Sequence, residues 1–378
     1  MLRAMWPEPV ASPRPAERRI RPTGRRVALV TGANGFIGRH LVARLCAEGL
    51  QVRALVRSAA RAGAMGPNVE VIAGNLGDPE TITGIADGAE MVFHLASIMR
   101  GRWEDFEQVD VAGTRLLLDE ARHAGTRRIV FTSTMSVYPL GAGRAITEEM
   151  IESPERVGPY ARAKLTIEQM LMDANRAGQI EAVVTRPGLV FGPGSSPYLT
   201  HLPHLGTLRG NRYIVFGDGA VPLQLTFVEN TVDALWRAAT RPAAAGKTFT
   251  LVDPDPPTQR EYVRALAELT RRPLELVRIP RSVAWMAGLA AELGSAALHR
   301  PPPTTRRLLL GKTAKPVFDC SRARSVLGWN PAVHWREGLR RAVAWALAGG
   351  GSYCAAGGAP PPDARRLPPI ELAELAER

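Results

Sequence analysis

The chain of 378 residues is predicted to be an α/β protein, a doubly wound parallel sheet followed by a smaller, mixed portion. Three observations carry the prediction. Short apolar runs alternate with helical periodicities from residue 26 to residue 186, the rhythm of repeated β–α units. The first apolar run feeds directly into a glycine-rich turn and then a helix. Hydrophobic residues make up 45% of the chain and charged residues 22%, enough to bury one large core or two.

Taken in order, strands are expected over 26–31, 52–56, 69–72, 91–95, 128–133 and 182–186. Each is short and mostly apolar, as strands buried on both faces are. Helices are expected over 37–48, over 109–123 with Gly125 as its stop, and over 160–174. Crossovers of that length join parallel strands. After Gly192-Pro193-Gly194 the pattern becomes mixed, with helices expected over 232–239, 259–270 and 336–348. The first domain is therefore expected over 25–194 and a substrate-binding portion over 195–347, with a segment near 225–240 returning to the first domain. Residues 1–24, rich in Arg and Pro, read as a disordered leader, and 348–378 as a flexible tail.

Charge and cysteine content narrow the function classes. The formal charge is +12, but no aromatic-interleaved basic run accompanies it, so no nucleic-acid partner is expected. Cys46, Cys320 and Cys354 are odd in number and widely spaced, which suits a reducing compartment; the expected location is cytoplasmic. No run approaches the ~20 apolar residues that span a bilayer. His94, His201 and His204 lack a third ligand at metal spacing, and no metal is expected.

Two constellations carry chemistry. In Thr31-Gly32-Ala33-Asn34-Gly35-Phe36-Ile37-Gly38, Gly32 permits a tight turn and Gly35 a close approach of backbone to a pyrophosphate. Gly38 lets the following helix pack on the strand, and that helix's N-terminus supplies donors for phosphate. In Tyr160-Ala161-Arg162-Ala163-Lys164, a tyrosine and one of only four lysines lie one turn apart on a helix face. A lysine there is expected to hold a phenolate and depress the tyrosine, making it a proton donor or acceptor for carbonyl and alcohol chemistry.

Further motifs follow in order: Gly74-Asn75-Leu76-Gly77-Asp78, His94-Leu95-Ala96-Ser97, Asp110-Val111-Ala112-Gly113-Thr114, Thr132-Ser133-Thr134 running to Tyr138, Arg186-Pro187-Gly188-Leu189-Val190-Phe191-Gly192, and 319–331 with Leu327-Gly328-Trp329. With the GxxGxxG spacing of the first loop, the chain resembles the extended short-chain dehydrogenase/reductase superfamily of the epimerase/dehydratase type from about residue 26 to 345. Asn75 and Asp110 depart from the usual Asp and Asn. The resemblance implies a Rossmann-type cofactor domain and makes Tyr160 the general acid/base, Lys164 its partner and ribose ligand, and Thr134 the counterpart of the catalytic serine. It implies further cofactor contacts from Asn34, Phe36, Ile37, Asn75, Leu76, Leu95, Ala96, Ser97, Thr132, Pro187, Gly188 and Val190. Ser133 is expected to be cofactor-side or structural.

At the end of the second strand Val56 stands where an acid would take a ribose hydroxyl, and Arg57 follows. A guanidinium suits a 2′-phosphate, so NADP is the preferred cofactor; stacking of Arg57 on adenine leaves NAD usable. Leu189 replaces the Asn with which nucleotide-sugar enzymes of this superfamily hold their diphosphate. Ile98, Met99, Met135, Leu189, Tyr198 and Leu199 are expected to give the pocket apolar walls. The branch most resembled is that of 3β-hydroxysteroid dehydrogenases and dihydroflavonol reductases, which implies a small hydrophobic ketone or alcohol as substrate and a monomeric or homodimeric enzyme. The segment 283–298 is expected to lie at a membrane interface, to roof the pocket, or simply to pack. The alternatives are a nucleotide-sugar epimerase or dehydratase, and a cofactor-binding scaffold without turnover, against which Thr134, Tyr160 and Lys164 argue.

Overall fold

The computed structural model describes residues 26–349 apart from 64, 140–144, 196–206, 210 and 298–312. The leader, the tail from residue 350, Tyr198 and Leu199 lie outside the described residues. Seven parallel strands form one sheet in the order β11-β6-β5-β4-β1-β2-β3. They are β1 (Val27–Thr31), β2 (Gln51–Val56), β3 (Val69–Ala73), β4 (Ala89–His94), β5 (Arg128–Thr132), β6 (Glu181–Pro187) and β11 (Thr248–Leu251). Alternate residues of β1 face opposite sides: Ala28 and Val30 enter one core cluster and Leu29 the other.

Helices cover both faces. On one side α1 (Phe36–Ala47) and α6 (Val228–Thr240) pack Leu41, Leu45, Val232 and Leu235 against Val30, Val52 and Phe93. On the other, α4 (Ala112–His123) and α5 (Pro159–Arg176) bring Leu117, Ala121, Ile167 and Leu171 onto Leu29, Val92 and Ile129. Short helices α2 (Pro79–Ile82) and α3 (Trp103–Phe106) decorate the crossovers. Between α3 and α4 the backbone widens into a π-helical stretch, Glu107–Val111, so the helix expected over 109–123 is interrupted at its start. Gly113 sits where α4 crosses the turn after β3: a Cβ there would lie 2.8 Å from the Leu76 carbonyl oxygen.

The remaining elements build a second, smaller layer. β7 (Leu189–Phe191) pairs in parallel with β10 (Leu225–Phe227), and β8 (Thr207–Arg209), β9 (Arg212–Phe216) and β12 (Glu275–Ile279) make a three-stranded sheet. Together with α7 (Gln259–Thr270) and α9 (Trp335–Leu347) they enclose a core of Phe191, Tyr213, Phe227, Tyr262 and Trp335. α8 (Arg281–Ala297) follows β12. The sequence reading placed no strand at 248–251, yet β11 completes the main sheet beside β6. The 319–331 motif locks this end of the molecule. Trp329 is buried and donates from Nε1 to the Asn230 carbonyl at 2.9 Å, fastening the C-terminal segment to α6. Among the described residues no helix is long and apolar enough to cross a membrane.

Candidate active site

The chain runs outward from β1 to β3 and returns to β4 on the other side of β1, so the loops after β1 and β4 part around a crevice. Such a switch point, at the carboxyl ends of the strands, is where α/β sheets bind ligands. Here the loops touch: Gly32 has φ +68°, and a Cβ on it would stand 2.9 Å from the Ala96 nitrogen. At Gly38 a Cβ would fall 2.1 Å from the Gly32 carbonyl oxygen, so only glycine lets α1 start this close to the turn. Gly35 caps α1 without any side-chain hydrogen bond, which leaves the first N–H groups of the helix for an anion. Arg39 Nε donates to the Asn34 carbonyl at 2.9 Å and pins the loop. Phe36 opens α1 and meets the His40 ring edge-on at 5.6 Å, and Ile37 packs on the core beneath. This cradle fits the pyrophosphate of a dinucleotide.

A buried polar chain underlies the crevice. Thr31 Oγ1 accepts from the backbone N–H groups of Leu95 (3.2 Å) and Ala96 (3.1 Å), so its own hydrogen goes to His94 Nδ1 at 2.7 Å. Nε2 of His94 then carries the ring proton toward Thr114 Oγ1 (2.9 Å), which donates to the Asp110 carbonyl (2.5 Å). Burial, with the Lys164 charge adding to it, holds His94 down at about 3, so the ring is neutral. The Asp110 carboxylate accepts from the Ser97 hydroxyl and from the Ile98 N–H at 3.1 Å, fixing the turn after β4. Sequence reading noted Asp110 only as a departure; its side-chain role needed the π-helical stretch that turns it inward.

Tyr160 and Lys164 lie on the first turns of α5, and Thr134 follows the end of β5. Thr134 Oγ1 accepts from Ser136 N at 3.1 Å and also hydrogen-bonds Tyr160. Lys164 is buried and donates from Nζ to the Thr132 carbonyl at 3.1 Å; it stands 4.7 Å from the Phe131 ring centre and 5.6 Å from that of Tyr160. The expected depression of the tyrosine is not found. Burial first, and the Asp110 charge second, push Tyr160 up to about 12, and only the Thr134 hydrogen bond opposes them. The ammonium points across the ring to a carbonyl instead of engaging the phenol. Burial also draws Lys164 down to about 8, against the Asp110 and Glu168 charges. Thr132 Oγ1, beside that carbonyl, is a buried hydroxyl with no partner among the described residues.

Ser133 takes the structural option: its hydroxyl donates to Glu168. Glu168 in turn holds Arg186 through two hydrogen bonds, Nε at 3.0 Å and Nη2 at 2.5 Å, both partners being buried. This pair ties α5 to β6 behind the Tyr160 turn. The sequence sets Glu168 one turn beyond Lys164 on the same helix face, but that spacing does not specify Arg186 on β6.

On the far side of β1, Arg57 is exposed just past the end of β2. Asn75 is exposed and its Oδ1 accepts from Gly77 N at 3.2 Å, while Leu76 is buried. Pro187 ends β6; Gly188 abuts the Gln224 carbonyl, 2.3 Å from where a Cβ would stand; Val190 is half-buried in β7. Leu189 packs with Met135, Tyr138 and Ala161, the residue after Tyr160, in one apolar cluster. Ile98 packs on the main core instead. Met99 departs from the expected wall: it is 72% exposed and outside that cluster, because the turn fixed by Asp110 ends one residue earlier.

Comparisons agree with this geometry. The model of the NAD dependent epimerase/dehydratase family matches residues 28–251, from β1 to β11. A 2-alkyl-3-oxoalkanoate reductase of Stenotrophomonas maltophilia is 31% identical over 85% of this chain and 99% of its own length. A 3 beta-hydroxysteroid dehydrogenase/Delta 5-->4-isomerase of Mycobacterium tuberculosis is 26% identical over 85% of this chain and 90% of its own. The structure of MoeE5 with UDP-glucose and NAD superposes with a TM-score of 0.64 at 27% identity, covering 85% of this chain and 99% of that one. With the glycine cradle at the switch point and a match reaching from the first to the last strand of the sheet, this chain belongs to the NAD dependent epimerase/dehydratase family.

Proposed function

We propose that the chain is an NADP-preferring oxidoreductase that interconverts a hydrophobic ketone and its secondary alcohol. The observation that carries this reading is the apolar cluster that joins Leu189 and Met135 to Ala161, the residue after Tyr160. An apolar wall there rejects a diphosphate, whose buried charge would lose its hydration without gaining a partner. It accepts a hydrocarbon body whose one polar atom faces Tyr160 and Thr134.

The nicotinamide supplies or takes up hydride when bound. Gly32, Gly35 and the N-terminus of α1 hold the pyrophosphate, and Arg57 takes the 2′-phosphate. Lys164 and Thr132 are assigned to the ribose side. The Tyr160 phenol donates a proton to the substrate oxygen as alkoxide character develops, and Thr134 Oγ1 donates a hydrogen bond to the same oxygen. A phenol held at about 12 is protonated at neutral pH, the form that ketone reduction needs.

The likeness to MoeE5 supports a second reading, a nucleotide-sugar epimerase or dehydratase. One assay separates the two: NADPH consumption by the full chain with long-chain and polycyclic ketones, beside titration with UDP-glucose. Turnover of the ketones with no binding of UDP-glucose is expected. Micromolar UDP-glucose binding without ketone turnover replaces the first reading by the second.

A further inference from the structure

We propose that α8 docks this protein onto anionic lipid surfaces, laying its outward apolar face in the bilayer interface. The helix is built the wrong way round for packing on its own molecule. Ala284, Gly288 and Ser295 are buried and Ala291 half-buried, a single stripe of small residues at i, i+4, i+7 and i+11. Apart from the half-buried Leu289, the large side chains lie opposite. Val283 is 50% exposed and Met286 and Leu293 each 63%, with Trp285 at 41% on the flank. A helix that serves only its own core buries the large residues and exposes the small or charged ones. Between Ser282 and Ala297 the one charged residue is Glu292, and it is half-buried.

The same orientation argues against a lid over the substrate pocket, because a lid turns its bulky apolar face inward. It also selects the occupant. Arg278 and Arg281 are exposed immediately before and at the start of the helix. Among the described residues of 271–315, Arg271, Arg272, Arg278, Arg281 and Lys315 stand against Glu275 and Glu292. A second copy would bring the same excess of positive charge to the contact, whereas an anionic bilayer complements it. At about 1.5 Å per residue the 17 residues of α8 extend roughly 25 Å, short of the ~30 Å hydrocarbon core, so the helix lies in the surface and does not cross it. The proposal does not depend on the reaction assigned above.

Co-sedimentation of the full chain with vesicles tests it. Binding is expected to phosphatidylglycerol-containing vesicles, to be at least tenfold weaker on pure phosphatidylcholine, and to fall as salt is raised. The Met286→Glu/Leu293→Glu double variant should lose the binding about tenfold or more while keeping the parent's thermal melt, because both side chains are exposed. Arg278→Glu/Arg281→Glu should weaken binding and flatten its salt dependence. Failure of the parent chain to sediment with anionic vesicles overturns the proposal, as does a double Glu variant that binds like the parent. Sedimentation velocity covers the other occupant: an oligomer that the double variant dissolves, without vesicle binding by the parent, assigns the face to a second copy and overturns the lipid reading.

Discussion

Asp110 opposes the ionisation of Tyr160: burial first and the Asp110 carboxylate second hold the phenol at about 12. The same carboxylate favours the charged form of Lys164, which burial draws down. Asp110→Asn removes both influences while an amide oxygen can still accept from Ile98 N and an amide N–H can meet Ser97. Tyr160 and Lys164 should then both release protons at lower pH. The alkaline limb of ketone reduction is expected to move down by a few tenths of a pH unit or more in the kcat/KM profile. An unmoved limb in a folded variant would show that neither group sets it.

Tyr160→Phe keeps the ring that meets Phe106 edge-on at 6.1 Å, so the fold should be undisturbed. What it deletes is the hydroxyl next to Thr134. We expect kcat to fall by roughly 10² or more, the usual scale for positioned proton transfer, with cofactor affinity nearly unchanged. Near-parental turnover would assign the proton to another group.

Arg57 is exposed past β2, free of the constraint that buries Arg53 four residues earlier. Arg57→Asp should weaken NADPH binding about tenfold or more by removing a charge-assisted phosphate partner, and improve NADH binding by offering a ribose acceptor. Fluorescence titration with both cofactors checks it; equal affinities for the two in the parent chain would contradict the assignment.

The parts of the site that local sequence dictates were legible in it. Gly32 and Gly38 announce themselves because a Cβ at the first would stand 2.9 Å from the Ala96 nitrogen and at the second 2.1 Å from the Gly32 carbonyl oxygen. The Tyr160–Lys164 spacing likewise carries its geometry wherever it is helical. Non-local consequences were not legible. Thr248–Leu251 alternates polar and apolar residues but is only four residues long, and its place beside β6 depends on where α6 returns the chain. Arg53 and Arg128 stand in expected strands with no partner legible from their neighbours, and both are buried, Arg53 donating to the Ile85 and Asp87 carbonyls and Arg128 to those of Ala238, Ala239 and Arg241. The ammonium of Lys164 went to a carbonyl across the strand, a partner that helix spacing cannot specify.

Asp253 follows the sheet's last strand and supplies a prediction about stability. Its Oδ2 accepts from Phe227 N at 2.7 Å and Asn230 Nδ2 at 3.0 Å, while Oδ1 is buried without a partner among the described residues. Burial pushes the carboxyl up to about 7 against those two hydrogen bonds. A folded value raised above the unfolded one means that the group's favourable contribution is complete below about pH 4 and is lost as pH rises through 7. Asparagine has the shape of the protonated acid and keeps both acceptor contacts. Asp253→Asn should therefore match the parent near pH 4 and exceed it at pH 8, by on the order of 2–4 kcal/mol for a shift of this size. Urea unfolding at both pH values measures the difference; a variant less stable than the parent at pH 8 would mean that the ionised carboxylate is what holds Phe227 and Asn230 in place.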